Sequence, residues 1–263
     1  MELQVRGKSV YAATGGKPFD ASLPVVLFIH GAAFDHATWK LQTRYFAWHD
    51  HAVLAVDLPG HGRSEGPLIE TVAGMADWAC ELLDTAGVKA AMVVGHSMGA
   101  LVALDMAARH PDRVSKLGLC GCAAKMPVND TLLGAAKAND HAALEMVTSW
   151  GTGRAARTGG NRVPGTWLRG GGLRQLERAA PGVMFNDMNA CNAFADGPAR
   201  AADVKCPTVV IAGGGDLMTP AKAGKALADA IAGATCVVIP GAGHMMMDET
   251  PDETLDALIA AFR

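Results

Sequence analysis

Short apolar runs recur along the chain, and helical patterns lie between them. Six runs have the length of a strand: residues 25–29, 52–56, 90–94, 114–120, 208–212 and 235–239. Continuous apolar runs are typical of parallel strands that are buried on both faces. Between the runs, apolar residues recur at helical spacing from Val72 to Ala86, with Gly87 as the stop, and again from Leu255 to Phe262. The pattern predicts an α/β fold with a mostly parallel central sheet flanked by helices and joined by right-handed crossovers.

The middle of the chain has a different pattern. Residues 125–205 contain no run typical of a buried strand, only weak helical patterns such as 131–149 and glycine-rich breaks at 151–160 and 170–172. A stretch of this length is too long to be a plain connection between two strands. We therefore expect a core made of residues 1–124 and 206–263, with residues 125–205 forming a helical cap, or lid.

Composition narrows the class of protein. The 263 residues are half apolar and carry a formal charge of −3, from 23 basic and 26 acidic side chains. This balance argues against disorder and against nucleic-acid binding. No stretch reaches the roughly 18 to 20 apolar residues of a membrane span, and the first residues lack the apolar region of a secretory signal. We expect a cytoplasmic globular protein with no membrane or nucleic-acid partner.

The six cysteines give no sign of a metal or redox centre. They are scattered through apolar segments, and none forms a Cys-x-x-Cys pair. The spacing of Cys120 and Cys122 is too tight for the usual zinc pattern. Buried free thiols are the interpretation that we favour, and no metal site is predicted.

Ser97 is the candidate nucleophile. Residues 95–99 read Gly-His-Ser-Met-Gly, directly after an apolar strand pattern and before a helical one. A sharp strand-to-helix turn exposes the serine hydroxyl and requires small flanking residues, while the helix N-terminus favours a developing negative charge. A second match to Gly-x-Ser-x-Gly centres on Ser64, but loop residues flank it on both sides. We expect Ser64 to be an ordinary turn residue.

A base and an acid follow in chain order. Serine becomes a nucleophile when a base takes its proton and a third group orients that base. Asp216 lies in a glycine-rich loop after the run 208–212, and His244 lies in another after the run 235–239. Loops after parallel strands reach the same edge of the sheet as Ser97. The order Ser97, Asp216, His244 is the one that accompanies a nucleophile on a strand-to-helix turn.

Two further motifs carry a family resemblance. Residues 30–33 read His-Gly-Ala-Ala after the first run, and residues 57–64 read Asp-Leu-Pro-Gly-His-Gly-Arg-Ser after the second. With the three catalytic candidates, they resemble the α/β-hydrolase superfamily over nearly the whole chain. The resemblance implies a cap inserted after the sixth strand, and backbone amides of Ala32 and Met98 as the oxyanion hole, with Ala33 able to replace Ala32. It implies no cofactor and no metal.

The serine at the nucleophile position separates the chain from the superfamily's aspartate-dependent dehalogenases and epoxide hydrolases. What remains is similar to cap-bearing serine hydrolases: carboxylesterases, cofactor-free haloperoxidases or perhydrolases, lactonases and carbon–carbon bond hydrolases. We expect a serine esterase that cleaves small carboxylic esters through an acyl-enzyme, as a monomer or homodimer. The alternative of another class is a non-catalytic ligand-binding protein of the same fold, which the complete set of Ser97, Asp216 and His244 disfavours.

An alternative within the fold is a lactonase or carbon–carbon hydrolase that acts on a carboxylated aromatic-degradation product. It is favoured by the arginines of the expected cap, because a basic cap over an apolar pocket would attract a carboxylate. These arginines are Arg154, Arg157, Arg162, Arg169, Arg174 and Arg178.

Several other residues are candidates for the substrate pocket. We expect Ala33, Met245 and Trp150 to contact substrate, and Met246 and Met247 either to line the pocket or to fill the core. Three further histidines are given structural roles: His96 is expected to pack beside the nucleophile turn, and His30 and His61 are expected to anchor their loops by hydrogen bonds.

Overall fold

The computed structural model describes residues 1–160 and 165–262. The strands are β1 (Glu2–Val5), β2 (Lys8–Ala13), β3 (Val25–Ile29), β4 (Ala52–Val56), β5 (Ala91–His96), β6 (Val114–Cys120), β7 (Thr208–Gly213) and β8 (Thr235–Ile239). The helices are α1 (Lys40–Ala47), α2 (Val72–Thr85), α3 (Met98–Arg109), α4 (Asp130–Lys137), α5 (His141–Gly151), α6 (Arg154–Arg157), α7 (Leu168–Leu176), α8 (Val183–Ala193), α9 (Gly197–Asp203), α10 (Ala221–Ala230), α11 (Met246–Glu249) and α12 (Pro251–Phe262). Single 3₁₀ turns lie at His36–Trp39 and Pro111–Arg113.

The strands form one sheet in the order β1-β2-β4-β3-β5-β6-β7-β8. Strands β3 to β8 pair in parallel, whereas β2 is antiparallel to both of its neighbours, β1 and β4. The chain leaves β3 toward one edge of the sheet and, from β5 onward, moves toward the other. In such sheets the crevice at the carboxyl ends of the strands, where the order reverses, is the usual ligand site.

The predicted runs correspond to β3 through β8, because each central strand is covered on both faces. Every residue of β3 and β4 is buried. On one face, α2 and α3 pack over the sheet in an apolar cluster that includes Leu101 and Leu119. On the other face, α1 and α12 cover a second cluster around Phe28 and Trp39. The α/β-hydrolase fold expected from the sequence is the observed one.

Local capping explains where α2 begins and ends. The Thr71 hydroxyl accepts a hydrogen bond from the Gly74 amide, which satisfies a free donor of the first turn. Gly87 follows the helix with a φ of 72°, a conformation that favours glycine and stops the helix. Helix α12 begins earlier than the apolar spacing indicates, at Pro251, a residue that suits a first helical position.

Among the described residues, six helices, α4 to α9, lie between β6 and β7. We call residues 121–207 the helical insert. Its described part contains no strand. The prediction of a glycine-rich break at 170–172 is wrong, because these glycines lie inside α7. A Cβ on Gly170 would come within 2.1 Å of the Trp167 ring, so close packing against that ring favours glycine inside this helix.

The insert packs directly on the sheet-covering helices. Leu132, Val147, Met184 and Met188 belong to the same apolar cluster as Leu101 of α3. No helix in the described part of the chain is both long enough and apolar enough to cross a membrane.

Candidate active site

Ser97 lies on a strained turn between β5 and α3. Its φ of 54° is in the region that a non-glycine residue rarely adopts, and its amide donates to the Cys120 carbonyl at 2.9 Å. Glycines on either side make the turn possible. A Cβ on Gly95 would lie 2.1 Å from the Gly99 carbonyl oxygen. A Cβ on Gly99 would lie 2.4 Å from the carbonyl oxygens of Ile29 and His30. The turn that the sequence predicts for Ser97 is present.

Asp216 and His244 meet at the ends of β7 and β8. His244 Nδ1 donates to Asp216 Oδ2 at 2.8 Å, and both side chains are buried. The Thr219 hydroxyl also donates to Asp216 Oδ2, at 2.6 Å, and the amides of Met218 and Thr219 donate to Asp216 Oδ1. Burial opposes ionisation of Asp216, but the His244 ring and these donors hold the pKa of the carboxyl below its usual range. Asp216 is therefore an anchored carboxylate that fixes the His244 ring.

The other nitrogen of His244 remains available. His244 Nε2 is buried and has no hydrogen-bond partner among the described residues. Because Nδ1 carries the hydrogen donated to Asp216, Nε2 presents a lone pair. Ser97 and His244 line the same cavity. The arrangement suits a base that accepts the Ser97 proton, as the sequence predicts.

His96 supports the loop that carries His244. Its Nε2 donates to the His244 carbonyl oxygen at 3.0 Å, so its unpartnered Nδ1 is the unprotonated nitrogen. Burial, reinforced by the nearby His244 ring, lowers the pKa of His96 well below its ordinary value. His96 is therefore neutral and packs beside the nucleophile turn, as expected from the sequence.

Two backbone amides close to Ser97 have no acceptor among the described residues. Met98 follows Ser97 as the first residue of α3, before the helix makes its own hydrogen bonds. Ala32 lies in the loop after β3 and lines the cavity with Ser97. Ala33 differs: its amide donates to Asp187 at 2.8 Å, and it borders a different cavity. The structure therefore places Ala32, but not Ala33, at the site.

The cavity above Ser97 has two arms that share Ala32, Ser97, Met188, Met218 and His244. What we call the small arm has a volume of about 30 Å³. Its other lining residues include Phe34, Thr148, Leu168, Met245, Asp248 and Glu249. The large arm has a volume of about 430 Å³. Its other lining residues include Lys125, Leu132, Trp150, Cys191, Leu217 and Pro220. The small arm is therefore much the narrower of the two and suits a more compact group than the large arm.

Asp248 and Glu249 lie at one end of the small arm, and backbone amides hold Glu249 in place. Glu249 Oε2 accepts hydrogen bonds from the Gly153 and Gly243 amides, at 3.0 and 3.1 Å, and Oε1 has no partner among the described residues. Burial raises the pKa of Glu249. Asp248 beside it pairs with Lys40. Two carboxyl groups therefore border this end of the cavity.

Some of the residues predicted to contact substrate line the cavity, and others do not. Met245 lines the small arm and Trp150 lines the large one, while Met246 and Met247 are fully buried in the core. Met188, Met218 and Lys125 also line the cavity, although the sequence analysis did not select them. Met218 could have been found from its position two residues after Asp216.

The arginines of the insert do not form the expected basic lining. None of the five described ones borders either arm. Arg157 Nε donates to the Thr152 carbonyl, Arg174 pairs with Glu177, and Arg178 pairs with Asp35. Arg162 lies outside the described residues. In the described part of the lining, Lys125 is the one lysine or arginine side chain.

The remaining motif residues have structural contacts. The Ser64 hydroxyl donates to the Asp57 carbonyl and accepts from the Tyr11 amide, so Ser64 serves its loop. His30 Nδ1 donates to the Gly31 carbonyl oxygen at 2.8 Å, and His30 Nε2 accepts from the Leu58 amide. His30 therefore ties the loop after β3 to the loop after β4, and the structural roles expected of Ser64 and His30 are confirmed.

One group of side chains has the spacing of a metal site. Ligand atoms of Asp35, His36 and Asp57 lie within 4.8 Å of one another. They already bind protein groups: Asp57 accepts from His36, and Asp35 accepts from Gln175 and Arg178 of α7 and the residues after it. These contacts fit a structural cluster.

A family model described as the alpha/beta hydrolase family matches residues 26–257. The chain belongs to the alpha/beta hydrolase family. Two proteins whose names describe hydrolase activities are similar to most of this chain. An (E)-2-((N-methylformamido)methylene)succinate hydrolase of Acinetobacter baylyi is 26% identical over 244 residues, which cover 90% of this chain and 89% of that protein. A pimeloyl-(acyl-carrier protein) methyl ester esterase of Chromobacterium violaceum is 29% identical over 225 residues, with 82% and 83% covered.

The solved structures agree with this family assignment. The enol-lactonase from Burkholderia xenovorans superposes with a TM-score of 0.88 at 26% identity, covering 100% of this chain and 99% of that one. A hydrolase, an esterase and a lactonase are thus among the relatives of this alpha/beta hydrolase.

Proposed function

We propose that this alpha/beta hydrolase is a serine esterase that cleaves small carboxylic esters through an acyl-enzyme. The observation that carries the proposal is the pair Asp216–His244, with His244 Nε2 unpartnered in the cavity that Ser97 lines. A fixed base beside a strained serine is the arrangement that nucleophilic catalysis requires.

In the first half of the reaction, Ser97 Oγ attacks the ester carbonyl carbon while His244 Nε2 takes the hydroxyl proton. The carbonyl oxygen becomes an oxyanion, which the Ala32 and Met98 amides stabilise. The carbon–oxygen bond to the alcohol then breaks, and His244 gives its proton to the departing alkoxide. Asp216 holds the ring in the required tautomer throughout.

In the second half, water attacks the acyl carbon and gives a proton to His244 Nε2. The bond to Ser97 Oγ breaks, the proton returns to the serine oxygen, and the carboxylic acid leaves. The two arms suit an ester with one compact side and one long side, because their volumes are about 30 and 430 Å³. The helical insert acts as a cap, since Leu168, Met188 and Trp150 from its helices line these arms.

The first test measures turnover of p-nitrophenyl acetate, butyrate, octanoate and laurate. We expect the wild-type chain to hydrolyse esters of this series and Ser97→Ala to lose activity by at least about 10³-fold, since the nucleophile is absent. Ser64→Ala is the matched control, because it changes the serine of the other Gly-x-Ser-x-Gly match. A Ser97→Ala protein that retains wild-type turnover would refute the mechanism, and a wild-type chain inactive on every ester would favour a non-catalytic binding protein.

A second candidate is a lactonase or carbon–carbon hydrolase whose substrate bears a carboxylate. Lys125 favours it, because this basic side chain borders the large arm, whereas carboxyl groups border the small one. The relatives include a hydrolase of a substituted succinate and an enol-lactonase. A substrate with its carboxylate in the large arm would fit this distribution of charge.

The test compares p-nitrophenyl hexanoate with mono-p-nitrophenyl adipate, which has the same chain length and a terminal carboxylate. We expect Lys125→Gln to raise KM for the adipate about 2- to 5-fold, corresponding to at most about 1 kcal/mol for an exposed charge pair, and to leave the hexanoate unchanged. Lys222→Gln, on an exposed position of α10 outside the cavity, is the control. Equal effects on both esters would remove the argument for a carboxylated substrate.

A further inference from the structure

Asp187 joins the helical insert to two loops beside the active site. It lies in α8 and is fully buried. Asp187 Oδ2 accepts a hydrogen bond from the Ala33 amide and another from His61 Nε2, both at 2.8 Å. Ala33 belongs to the loop after β3, and His61 belongs to the loop after β4. Neither contact takes part in the reaction described above.

His61 is the cationic partner of Asp187. Its Nδ1 lies 3.1 Å from the Pro59 carbonyl oxygen and its Nε2 faces Asp187, so both nitrogens must carry hydrogen to make these bonds. Burial opposes protonation, but the Asp187 carboxylate outweighs it and raises the pKa of His61. The two side chains, 2% and 0% exposed, form a buried ion pair between the insert and the core.

Contacts of His30 and Asp187 fix the peptide planes of the loop after β3, which we call the oxyanion loop. The Gly31 carbonyl and the Ala32 N–H belong to one peptide unit, and they point in opposite directions in a trans peptide. His30 Nδ1 binds that carbonyl, so the Ala32 N–H points away from His30. Asp187 binds the N–H of the next peptide unit, at Ala33, whose φ is 58°.

His61 also supports the oxyanion loop, through its contact with His30. Its ring packs against the His30 ring, with centroids 4.9 Å apart. Asp187 therefore restrains the loop twice, directly through Ala33 and indirectly through His61 and His30. A non-glycine residue with positive φ persists only where its surroundings hold it, and Asp187 supplies a contact of that kind for Ala33.

We propose that Asp187 is a positioning residue for the reaction: it holds the oxyanion loop in the conformation that presents the Ala32 amide to the substrate carbonyl oxygen. The inference rests on the proposed serine hydrolase function. It makes α8 part of the catalytic apparatus, because the next residue, Met188, lines both arms of the cavity. A change in the position of α8 thereby alters both the fit of the substrate and the stabilisation of the oxyanion.

The test compares Asp187→Ala with Asp187→Asn by kcat and KM, per active site titrated with a fluorophosphonate. We expect Asp187→Ala to lower kcat about 10- to 100-fold with KM nearly unchanged, since losing or misplacing an oxyanion donor has effects of about 10²-fold or more. Asp187→Asn keeps an oxygen that can accept from Ala33, so we expect it to recover most of that loss. A folded Asp187→Ala protein with wild-type kcat would overturn the proposal.

Asp35→Asn is the matched control. Asp35 is another buried carboxylate that binds the insert, through Gln175 and Arg178, but it makes no bond to the Ala33 amide. We expect its kcat to stay within about 2-fold of the wild-type value. An equal loss in Asp35→Asn and Asp187→Ala would show that a loosened insert, not the loop, is responsible, and would overturn the proposal.

If Asp187→Ala does not fold, the double variant Asp187→Leu with His61→Leu replaces it. Removing both charges leaves no unpaired ion in the core, and such replacements are often tolerated. The Ala33 amide still lacks its acceptor, so the same fall in kcat is expected, and an unchanged kcat contradicts the proposal. A wild-type chain without esterase activity would refute the proposed function itself, whereas an active wild type with unaffected variants would refute only this role of Asp187.

Discussion

Four histidines in and near the site make different hydrogen bonds because their neighbours differ. His244 donates from Nδ1 to Asp216, while His96 donates from Nε2 to a backbone carbonyl. His30 donates from Nδ1 and accepts at Nε2, and burial together with the charge of His61 lowers its pKa to about 4. His61 faces two acceptors and is cationic. The reaction needs only His244 as a base, so the other three stabilise the loops that present the reacting groups.

At the residue scale, the sequence predicts groups whose chemistry is local and misses those that depend on distant contacts. Ser97 was found because a strand-to-helix turn needs flanking glycines. Asp187 has no such local signature, since its partners His61 and Ala33 lie 126 and 154 residues away along the chain. Lys125 was missed for a related reason: only the folded insert determines which basic side chains border the cavity and which pair elsewhere.

At the element scale, strands with a continuous apolar run were predicted, including the part-exposed edge strand β8, whereas short alternating strands were not. Strands β3 to β8 each produce an apolar run, whereas β1 and β2 at the sheet edge alternate between exposed and buried positions over a few residues. That short alternation was not recognised in the sequence. Helix α7 was missed because its three glycines are typical of a break. At Gly170, the Trp167 ring leaves no room for a Cβ.

The contact between α3 and β3 predicts a strong effect at Gly99. An added Cβ would lie 2.4 Å from the Ile29 and His30 carbonyl oxygens, so Gly99→Ala must push α3 away from the sheet. We expect the free energy of unfolding to fall by about 1–3 kcal/mol or more, as measured by urea denaturation. Esterase activity should fall as well, because the shift moves Ser97.

Gly134→Ala is the control for this prediction. Gly134 lies in α4, and no atom lies within 4 Å of its added Cβ. Alanine is the better helix former, so we expect this variant to be more stable than the wild type by about 0.4–1 kcal/mol. Destabilisation of similar size by both substitutions would show that the close approach of α3 to β3 is not what makes Gly99→Ala costly.

At the scale of the whole molecule, the insert and the sheet share one apolar cluster, and a polar contact reinforces it. The pair Asp187–His61 lies at this junction and is closed off from solvent. Removing one partner of a buried pair leaves the other charge uncompensated, which typically costs about 3–5 kcal/mol. The stability of the entire fold should therefore depend on the protonation state of His61.

The sign of that dependence follows from the direction of the pKa shift. The folded pKa of His61 is raised above the ordinary value of 6.5, so its contribution is fully present below pH 6.5 and is lost as pH rises through the folded value. Asp187, whose pKa is lowered, stays ionised over this range.

We therefore expect His61→Gln to destabilise the protein more at pH 5.5 than at pH 9, measured by urea unfolding at both pH values. Asp187→Asn should lose the same pH-dependent part, because it removes the carboxylate that raises the pKa of His61. A cost of His61→Gln that is equal at both pH values would contradict an ion pair between the insert and the core.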